Sequence, residues 1–359
     1  AHSAATAYAQ STSSWSHTIK GRFAQNAGGT SKVDSRRIVA LWLSAGGGAS
    51  TLLTYKSKYV VTSTNAITTT STSLQDDTEA SQTFSLTASQ TVLVIYQANN
   101  LHGDTMPAYG MQNAISVDGT DYARSWDAPC AANYATRNTV FWIGALGSGS
   151  HTIKGRFAVI ASGTATVSNR ILLIYILNGD LYYYLDDSTN STTSSSSFID
   201  DPAAQFTFTP PSSCKALILY NIANLYDPAH QTEDKNGKKA AINIGGIDYS
   251  QAEKSTYMLY YADSVFTTWA MQLSASSTTI KGRFACSIAS TVVVNRRQLG
   301  ILLFSDDTLL DTVSLDTQVS TTQTSLQDDS IGFTKLYFRS STATTGPTGK
   351  ASPDTDSFP

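Results

Sequence analysis

The sequence predicts an all-β protein built from tandem antiparallel β-sandwich modules of jelly-roll type, with an incomplete module at the N-terminus. Three observations support this fold class: an eight-residue string that occurs twice unchanged and once with a different first residue, short β-branched and aromatic runs of strand length, and no long amphipathic helical periodicity. The string reads HTIKGRFA at residues 17–24 and 151–158 and TTIKGRFA at residues 278–285. With 359 residues, the chain is too long for one ordinary core, so we expect two to three domains.

Superposing the strings defines the modules. At an offset of 127 residues Trp142 falls on Trp269 and Arg156 on Arg283, and at an offset of 134 Tyr8 falls on Trp142. Two complete modules surround the second and third strings, whereas only the back half of a module surrounds the first. The predicted units are an N-terminal half module at 1–60, complete modules at 73–187 and 197–311, a donor-type strand at 325–340 and a flexible tail at 341–359.

Each module reads as a succession of short strands. Residues 91–96 (TVLVIY) form a β-branched run, and Asp118-Gly119 is a hairpin-turn dipeptide between apolar runs. In the repeated string, Ile153, Gly155 and Phe157 alternate with polar residues, as in a half-buried strand. Ser/Thr tracts at 62–73, 188–197 and 318–325 separate the modules, either as linkers or as extended edge strands, because Thr also favours strands.

Composition narrows the classes of function. The net charge is −3 and only 14% of residues are charged, so no general basic field recruits nucleic acid. No apolar run reaches about 18 residues, so we expect no membrane span. The hydroxyl-rich, weakly charged composition suits an extracellular or particle-bound surface. The three cysteines form no disulfide framework; a Cys214–Cys286 pair is possible, but buried thiols in strands are favoured, and Cys130 stands apart.

A search for catalytic spacing finds no zinc-protease, nucleophile-elbow, phosphate-loop or paired-cysteine motif, so we predict no enzyme and no cofactor. The histidines are scattered: His2, His17, His102, His151 and His230. His17 and His151 are repeat equivalents, but the third copy has Thr278, which argues against a required ligand or base.

Paired aspartates are the most suggestive polar feature. They open the modules as Asp76-Asp77, Asp200-Asp201 and Asp328-Asp329. Carboxylate pairs near loops are candidate calcium ligands, although no loop has the EF-hand arrangement. The favoured alternative is that they blunt sheet edges or meet the repeated Lys and Arg residues.

Other repeated side chains admit two interpretations. Lys20/Arg22, Lys154/Arg156 and Lys281/Arg283 either bind a neighbouring subunit or anionic polymer, or form a solvated strand face with local carboxylate partners. The equivalents Tyr8, Trp142 and Trp269 are either a sugar-binding platform or, as we favour, core aromatics. Asn190-Ser191-Thr192 is a glycosylation sequon in a Ser/Thr tract.

Residues 150–157 (SHTIKGRF), followed by Thr166 and Arg170-Ile171-Leu172, carry a resemblance. They resemble the β-sandwich modules of phage tail and virion accessory proteins and of microbial surface or filament proteins. The resemblance covers both full modules and the N-terminal half. It implies structural or adhesive roles without catalytic residues.

The truncated modules suggest completion head to tail, within one chain or between neighbours. Our preferred hypothesis is a homopolymeric extracellular filament in which the C-terminal strand completes the half module of the next subunit. The expected interface residues are Ile331, Phe333, Leu336, Tyr337 and Phe338. The alternatives are a virion component, such as a tail fibre or capsid decoration protein, and a carbohydrate-binding adhesin on a host or cell surface.

Overall fold

A computed structural model describes 16–23, 31–33, 36–42, 52–102, 110–127, 135–226, 237–255, 263–286, 291–305, 309–315, 319–321 and 327–336. Side chains are described in 52–100, 110–126, 136–222, 239–252, 264–286 and 291–305. This described part of the chain is all-β: it contains antiparallel sheets packed as sandwiches and no helix. The predicted fold class is therefore confirmed.

The strands fall into three groups, one of which is divided between the two ends of the chain. The first three are β1 (Ser16–Phe23), β2 (Ser31–Val33) and β3 (Arg36–Trp42). Nine strands then form the first sandwich: β4 (Thr54–Ser63), β5 (Ile67–Thr69), β6 (Gln75–Leu86), β7 (Gln90–His102), β8 (Met111–Val117), β9 (Thr120–Asp127), β10 (Ala135–Leu146), β11 (Gly149–Val159) and β12 (Ala165–Asn178).

The second sandwich repeats that order with nine more strands: β13 (Tyr182–Asp187), β14 (Ser191–Thr193), β15 (Ile199–Phe208), β16 (Cys214–Tyr226), β17 (Gly237–Ile244), β18 (Ile247–Ser255), β19 (Asp263–Leu273), β20 (Thr278–Cys286) and β21 (Val292–Phe304). The chain continues with β22 (Leu309–Leu315), β23 (Val319–Thr321) and β24 (Gln327–Leu336). We call β1–β3 together with β22–β24 the terminal unit.

Both sandwiches have the same topology. In the first, a five-stranded sheet has the order β10-β7-β12-β4 with β5 also on β12, and it faces a four-stranded sheet of order β6-β11-β8-β9. In the second, the orders are β13-β21-β16-β19, with β14 on β21, and β15-β20-β17-β18. Alternate residues of the central strand β7, Val92, Val94 and Tyr96, are buried between the two sheets of the first sandwich.

The module boundaries differ from those predicted. β13 was expected to close the complete module at 73–187, but it pairs with β21 and so opens the second sandwich. β4, expected to fall mostly within the half module at 1–60, pairs with β12 of the first sandwich. Two of the three Ser/Thr tracts lie inside the sandwiches, because parts of them form β5 on β12 and β14 on β21. Part of the third forms β23, which pairs with β2 of the terminal unit. The edge-strand interpretation of these tracts is therefore the better one.

The two sandwiches pack sheet against sheet. The outer faces of the two five-stranded sheets form one apolar cluster that includes Leu93 and Phe141 from the first sandwich and Leu219 and Leu302 from the second. β7 and β16 are therefore buried on both faces, which explains their continuous apolar runs. Gly300 permits close contact, since a Cβ there would lie 2.6 Å from the Cδ1 atom of Ile143.

The terminal unit is assembled from both ends of one chain. β24 pairs antiparallel with β1, β22 with β3, and β23 with β2. β24 lies beside β1 as β6 lies beside the equivalent strand β11, and β22 lies beside β3 as β4 lies beside the equivalent strand β12. The predicted pairing of C-terminal strand with N-terminal half module is thus formed within the chain, one of the two alternatives that the sequence left open.

The connections into and out of the terminal unit lie side by side. The N–H of Leu53, one residue before β4, donates to the carbonyl of Leu303 at 2.7 Å, and the N–H of Ser305 donates to the carbonyl of Leu53 at 3.3 Å. The chain therefore enters the first sandwich and leaves the second at a single point.

Candidate functional site: the ion-paired clusters around the repeated strand

The repeated string forms the inner strand of each four-stranded sheet. β11 lies between β6 and β8, and β20 lies between β15 and β17. Ile153 and Phe157 are buried in the core of the first sandwich, whereas Lys154 and Arg156 are partly exposed on the opposite face. The alternation predicted from the sequence is therefore confirmed for β11, and β20 has the same burial pattern.

On the outer face, the basic residues meet the first aspartate of each pair. Arg156 Nε lies 3.1 Å from Asp76 Oδ1, and its Nη1 lies 2.8 Å from Asp121 Oδ1; Lys154 also pairs with Asp76. The second sandwich repeats the arrangement: Arg283 contacts Asp200 at 3.0 Å and Asp248 at 2.6 Å, and Lys281 contacts Asp200. These charges neutralise one another locally, in agreement with the interpretation of the Lys/Arg pairs as a strand face with local carboxylate partners.

The second aspartate of each pair belongs to a buried brace between the sheets. Asp77 on β6 accepts a hydrogen bond from the Tyr96 hydroxyl on β7 at 2.7 Å, and Arg170 Nε on β12 lies 2.7 Å from Asp77 Oδ2. Both side chains of this ion pair are fully buried. The Arg170 N–H is not directed at the oxygen, so the contact is chiefly coulombic.

The second sandwich contains the same brace. Asp201 contacts Arg297 at 2.8 Å and accepts from the Tyr220 hydroxyl at 3.1 Å. Burial raises the pKa of Asp77 and of Asp201, and the neighbouring arginine and tyrosine oppose that rise without cancelling it. Burial also raises the pKa of Tyr96 and Tyr220 well above 10. These residues tie the two sheets together and are closed to solvent.

The glycine of the repeated string is required by the tyrosine of this brace. A Cβ at Gly155 would lie 2.5 Å from the Tyr96 ring, and one at Gly282 would lie 2.3 Å from the Tyr220 ring. Neither glycine has a positive φ. Close packing, rather than backbone freedom, therefore explains the glycine in KGRF.

The calcium candidates face cations of the chain itself. Asp76, Asp77, Asp200 and Asp201 each contact lysine or arginine, as described above, and the side chains of Asp328 and Asp329 lie outside the described residues. Where side chains are described, no group of three or more His, Cys, Asp or Glu residues is arranged to hold a metal ion.

His151 forms a local surface pair. Its Nδ1 lies 2.7 Å from Asp118 Oδ2 in the β8–β9 turn, and its Nε2 lies 3.0 Å from the Gly147 carbonyl. The hydrogen bond with Asp118 raises the pKa of His151 above 6.5. Partial burial raises the pKa of Asp118, but the bonds from His151 and the Thr152 N–H outweigh it and lower that pKa. For His2, His17, His102 and His230 no side chain is described.

The repeated aromatics are packed residues. Trp142 is 7% exposed, belongs to the core of the first sandwich and packs on Tyr122 with ring centroids 5.5 Å apart. Trp269 packs on Tyr249 in the same way, at 5.4 Å. The core interpretation is thus confirmed for Trp142, and Trp269 is partly buried and packs against the core of the second sandwich. Tyr8 lies outside the described residues.

Three further predicted residues have described surroundings. Cys214 and Cys286 are buried thiols in the core of the second sandwich and not a disulfide, as favoured. Asn190 of the sequon is exposed immediately before β14. Its neighbours are fixed by Arg297, whose Nη1 donates to the Thr189 carbonyl and whose Nη2 donates to the Ser191 hydroxyl. Cys130 lies outside the described residues.

The polar contacts between the sandwiches were not predicted. Asp186 on β13 accepts from Arg296 at 2.7 Å and from the Ala123 N–H of the first sandwich at 3.0 Å. The buried Asn221 side chain donates to the Thr139 carbonyl at 3.2 Å across the interface. In the sequence, only the continuous apolar runs of β7 and β16 indicate that the outer face of each five-stranded sheet is covered. They do not show which part of the protein covers it.

No described helix is long and apolar enough to cross a membrane. No protein-family model matches the chain, and no curated protein matches it. Solved structures do align with it, at low scores. PNGF-II aligns at 11% identity over 69% of this chain with a TM-score of 0.33, and the alignment spans 65% of PNGF-II.

Two further structures align at similarly low scores. The STIV MCP aligns at 11% identity over 69% of this chain and 97% of its own, with a TM-score of 0.25. Tandem CBM51 modules of Sp3GH98, the family 98 glycoside hydrolase from Streptococcus pneumoniae SP3-BS71, align at 8% identity over 76% and 100%, with a TM-score of 0.18. At these scores, the alignments assign no function.

Proposed function

We propose that the protein is a non-catalytic structural subunit of an extracellular or virion assembly. It enters this assembly as a folded chain of three units, the two sandwiches and the terminal unit, in which its own strands β22 and β24 complete the terminal unit. This is the virion-component alternative rather than the filament built by strand donation. The observation that carries the proposal is the pairing of β24 with β1 and of β22 with β3 in one chain.

Closure within the chain removes the driving force for polymerisation by exchange of β22 and β24. An open half module would expose unpaired backbone groups on β1 and β3, and a neighbour's strands would satisfy them. Here the chain's own strands pair with one edge of each. The hydrogen bonds of Leu53 with Leu303 and Ser305 hold together the places where the chain enters the first sandwich and leaves the second, which lowers the entropy cost of closing the two halves on each other.

The repeated polar residues support a structural rather than catalytic role. The lysine and arginine of the repeated string are each matched by an aspartate in both complete sandwiches. The most buried charges join the two sheets of one sandwich. The same arrangement occurs in both complete sandwiches, as expected for a fold requirement. A catalytic site would instead need unmatched groups that converge on a substrate.

Two other functions remain as distinct hypotheses. A head-to-tail homopolymer would form the β1–β24 pairing between chains instead of within one. A carbohydrate-binding adhesin would need exposed aromatic or polar groups in the loops, because Trp142 and Trp269 are packed against tyrosines. Glycan affinity of the purified chain would support the adhesin.

Electron microscopy and light scattering of the full chain, beside a version ending at Thr324, test the proposal. We expect the full chain to form discrete particles and no fibres. The truncated version should melt at a lower temperature, because β1 loses its partner. Fibres from the full chain and none from the truncated one would overturn the proposal in favour of the donated-strand filament.

A further inference from the structure

A histidine joins two neighbouring turns at one end of the first sandwich. His151 follows the short β10–β11 turn, residues 147–148, and its ring contacts both that turn and the β8–β9 turn, residues 118–119. Nδ1 lies 2.7 Å from Asp118 Oδ2, and Nε2 lies 3.0 Å from the Gly147 carbonyl oxygen. The two turns are therefore linked through one imidazole ring.

Both partners of this ring are hydrogen-bond acceptors. An ionised carboxylate and a carbonyl oxygen can only accept, so each ring nitrogen must donate. A neutral imidazole has one N–H, whereas the imidazolium has two. The contacts with Asp118 and Gly147 are therefore both satisfied only when His151 is protonated.

The charge of the ring is controlled by one carboxylate. On the β8–β9 turn, Asp118 faces the ring, and on β6 the uncharged Phe84 lies beside it with ring centroids 6.1 Å apart. The next basic residue of β11, Lys154, pairs with Asp76 instead. Within the described residues, Asp118 is the one charged group that acts on His151, and its hydrogen bond raises the pKa of His151 above 6.5.

The second sandwich holds the same turn without a titrating group. The hydroxyls of Ser274 and Ser276 lie 2.8 Å apart, the Ser276 N–H donates to the Ser274 carbonyl at 2.8 Å, and the Thr278 hydroxyl donates to the Ser276 carbonyl at 3.2 Å. The equivalent residues of the first sandwich are Gly147, Gly149 and His151. Since histidine is the side chain that ordinarily titrates near neutral pH, the turn depends on a proton in the first sandwich and not in the second.

We propose that His151 is a pH-sensitive latch, which ties the β10–β11 turn to the β8–β9 turn while it is protonated and releases the β10–β11 turn when it loses its proton. Asp118 stays in place, because its N–H donates to the Thr152 carbonyl at 2.9 Å and its Oδ1 accepts from the Thr152 N–H at 2.8 Å. The neutral ring keeps one N–H for Asp118 and presents a lone pair to the Gly147 carbonyl, so that contact is lost.

The direction of the response follows from the raised pKa of His151. The latch is closed below pH 6.5 and opens as the pH rises through the raised pKa. This response to pH is independent of how the chains assemble, and it adds to the proposed structural role a local change that is confined to the first sandwich.

Spin labelling of the turn tests the latch. A nitroxide is attached to Ser148→Cys in the β10–β11 turn or to Ala275→Cys at the equivalent position of the second sandwich, both of which are exposed. The full chain is used with Cys130→Ser, so that only buried native thiols remain. The spectrum at residue 148 should sharpen between pH 5.5 and pH 8.5, because the released turn moves faster, and the spectrum at residue 275 should not change.

Two variants identify the titrating group. Asp118→Asn keeps an acceptor, tolerates the positive φ of 51° at this position and removes the charge, so the midpoint of the change should move to lower pH. With His151→Thr, the label at residue 148 should be mobile at both pH values. The proposal is overturned by a label at residue 148 that ignores pH, by a transition that survives His151→Thr or keeps its midpoint in Asp118→Asn, or by the same transition at residue 275.

Discussion

The packing of Gly155 against Tyr96 explains the most conspicuous feature of the sequence. Ile153 and Phe157 of the repeated string face the core, and this much follows from their alternation. The role of the glycine could not be predicted, because its partner Tyr96 is distant in sequence and alignment of the copies shows only that both residues recur. Steric fit between two strands is visible only in three dimensions.

Replacing Gly155 by Ala should destabilise the first sandwich by about 1–3 kcal/mol, because the added methyl overlaps the buried Tyr96 ring. Chemical denaturation measures the change. Gly147→Ala is the matched control, because a Cβ there meets no atom within 4 Å. Equal effects of the two substitutions would contradict the packing explanation.

The paired aspartates differ sharply in environment although they are adjacent. Asp77→Asn should cost about 3–5 kcal/mol of unfolding free energy, because it leaves the buried charge of Arg170 without a counter-ion. Asp76→Asn, whose side chain is 40% exposed, should cost no more than about 1 kcal/mol. Urea unfolding of both variants gives the comparison, and similar losses would show that the brace is not the stabilising element.

The His151–Asp118 pair should make stability depend on pH. Because the folded-state pKa of His151 is raised above 6.5, its contribution is full below pH 6.5 and is lost as pH rises through the raised pKa. Replacing His151 by Thr, the residue at the equivalent position 278, should remove this dependence of stability on pH. The wild-type advantage in melting temperature should be larger at pH 5.5 than at pH 8.5; a pH-independent difference would count against the pair.

At the scale of the elements, the sequence predicted the strands well and their grouping poorly. Runs such as TVLVIY are strands as expected, and the repeat fixes their order. The boundaries were misplaced because composition alone cannot separate a Ser/Thr linker from an edge strand, and parts of these tracts form β5 and β14. The contact between the two five-stranded sheets was missed because apolar periodicity identifies a covered face but not what covers it.

At the scale of the whole molecule, the repeat is continuous across the chain ends. From β3 to β4, from β12 to β13 and from β21 to β22, the chain runs from the last strand of one unit to the first strand of another. β22–β24 then pair with β1–β3. The sequence predicted that a back half and a front piece complete each other. It could not decide between completion within a chain and between chains, because both produce the same residue contacts. The proximity of Leu53 to Leu303 and Ser305 favours the single chain.

Engineered disulfides across β1 and β24 test this closure most directly. Thr18 lies opposite Thr334 and His17 lies opposite Lys335. Each pair is replaced by two cysteines in its own variant, because the Cα separation alternates between neighbouring pairs of antiparallel strands. Each single-cysteine variant controls for pairing with the native thiols. After mild oxidation, non-reducing electrophoresis should show one monomeric band containing an internal cross-link, at any protein concentration. A ladder of covalent oligomers that lengthens with concentration would show that the strand is exchanged between chains and would contradict the account.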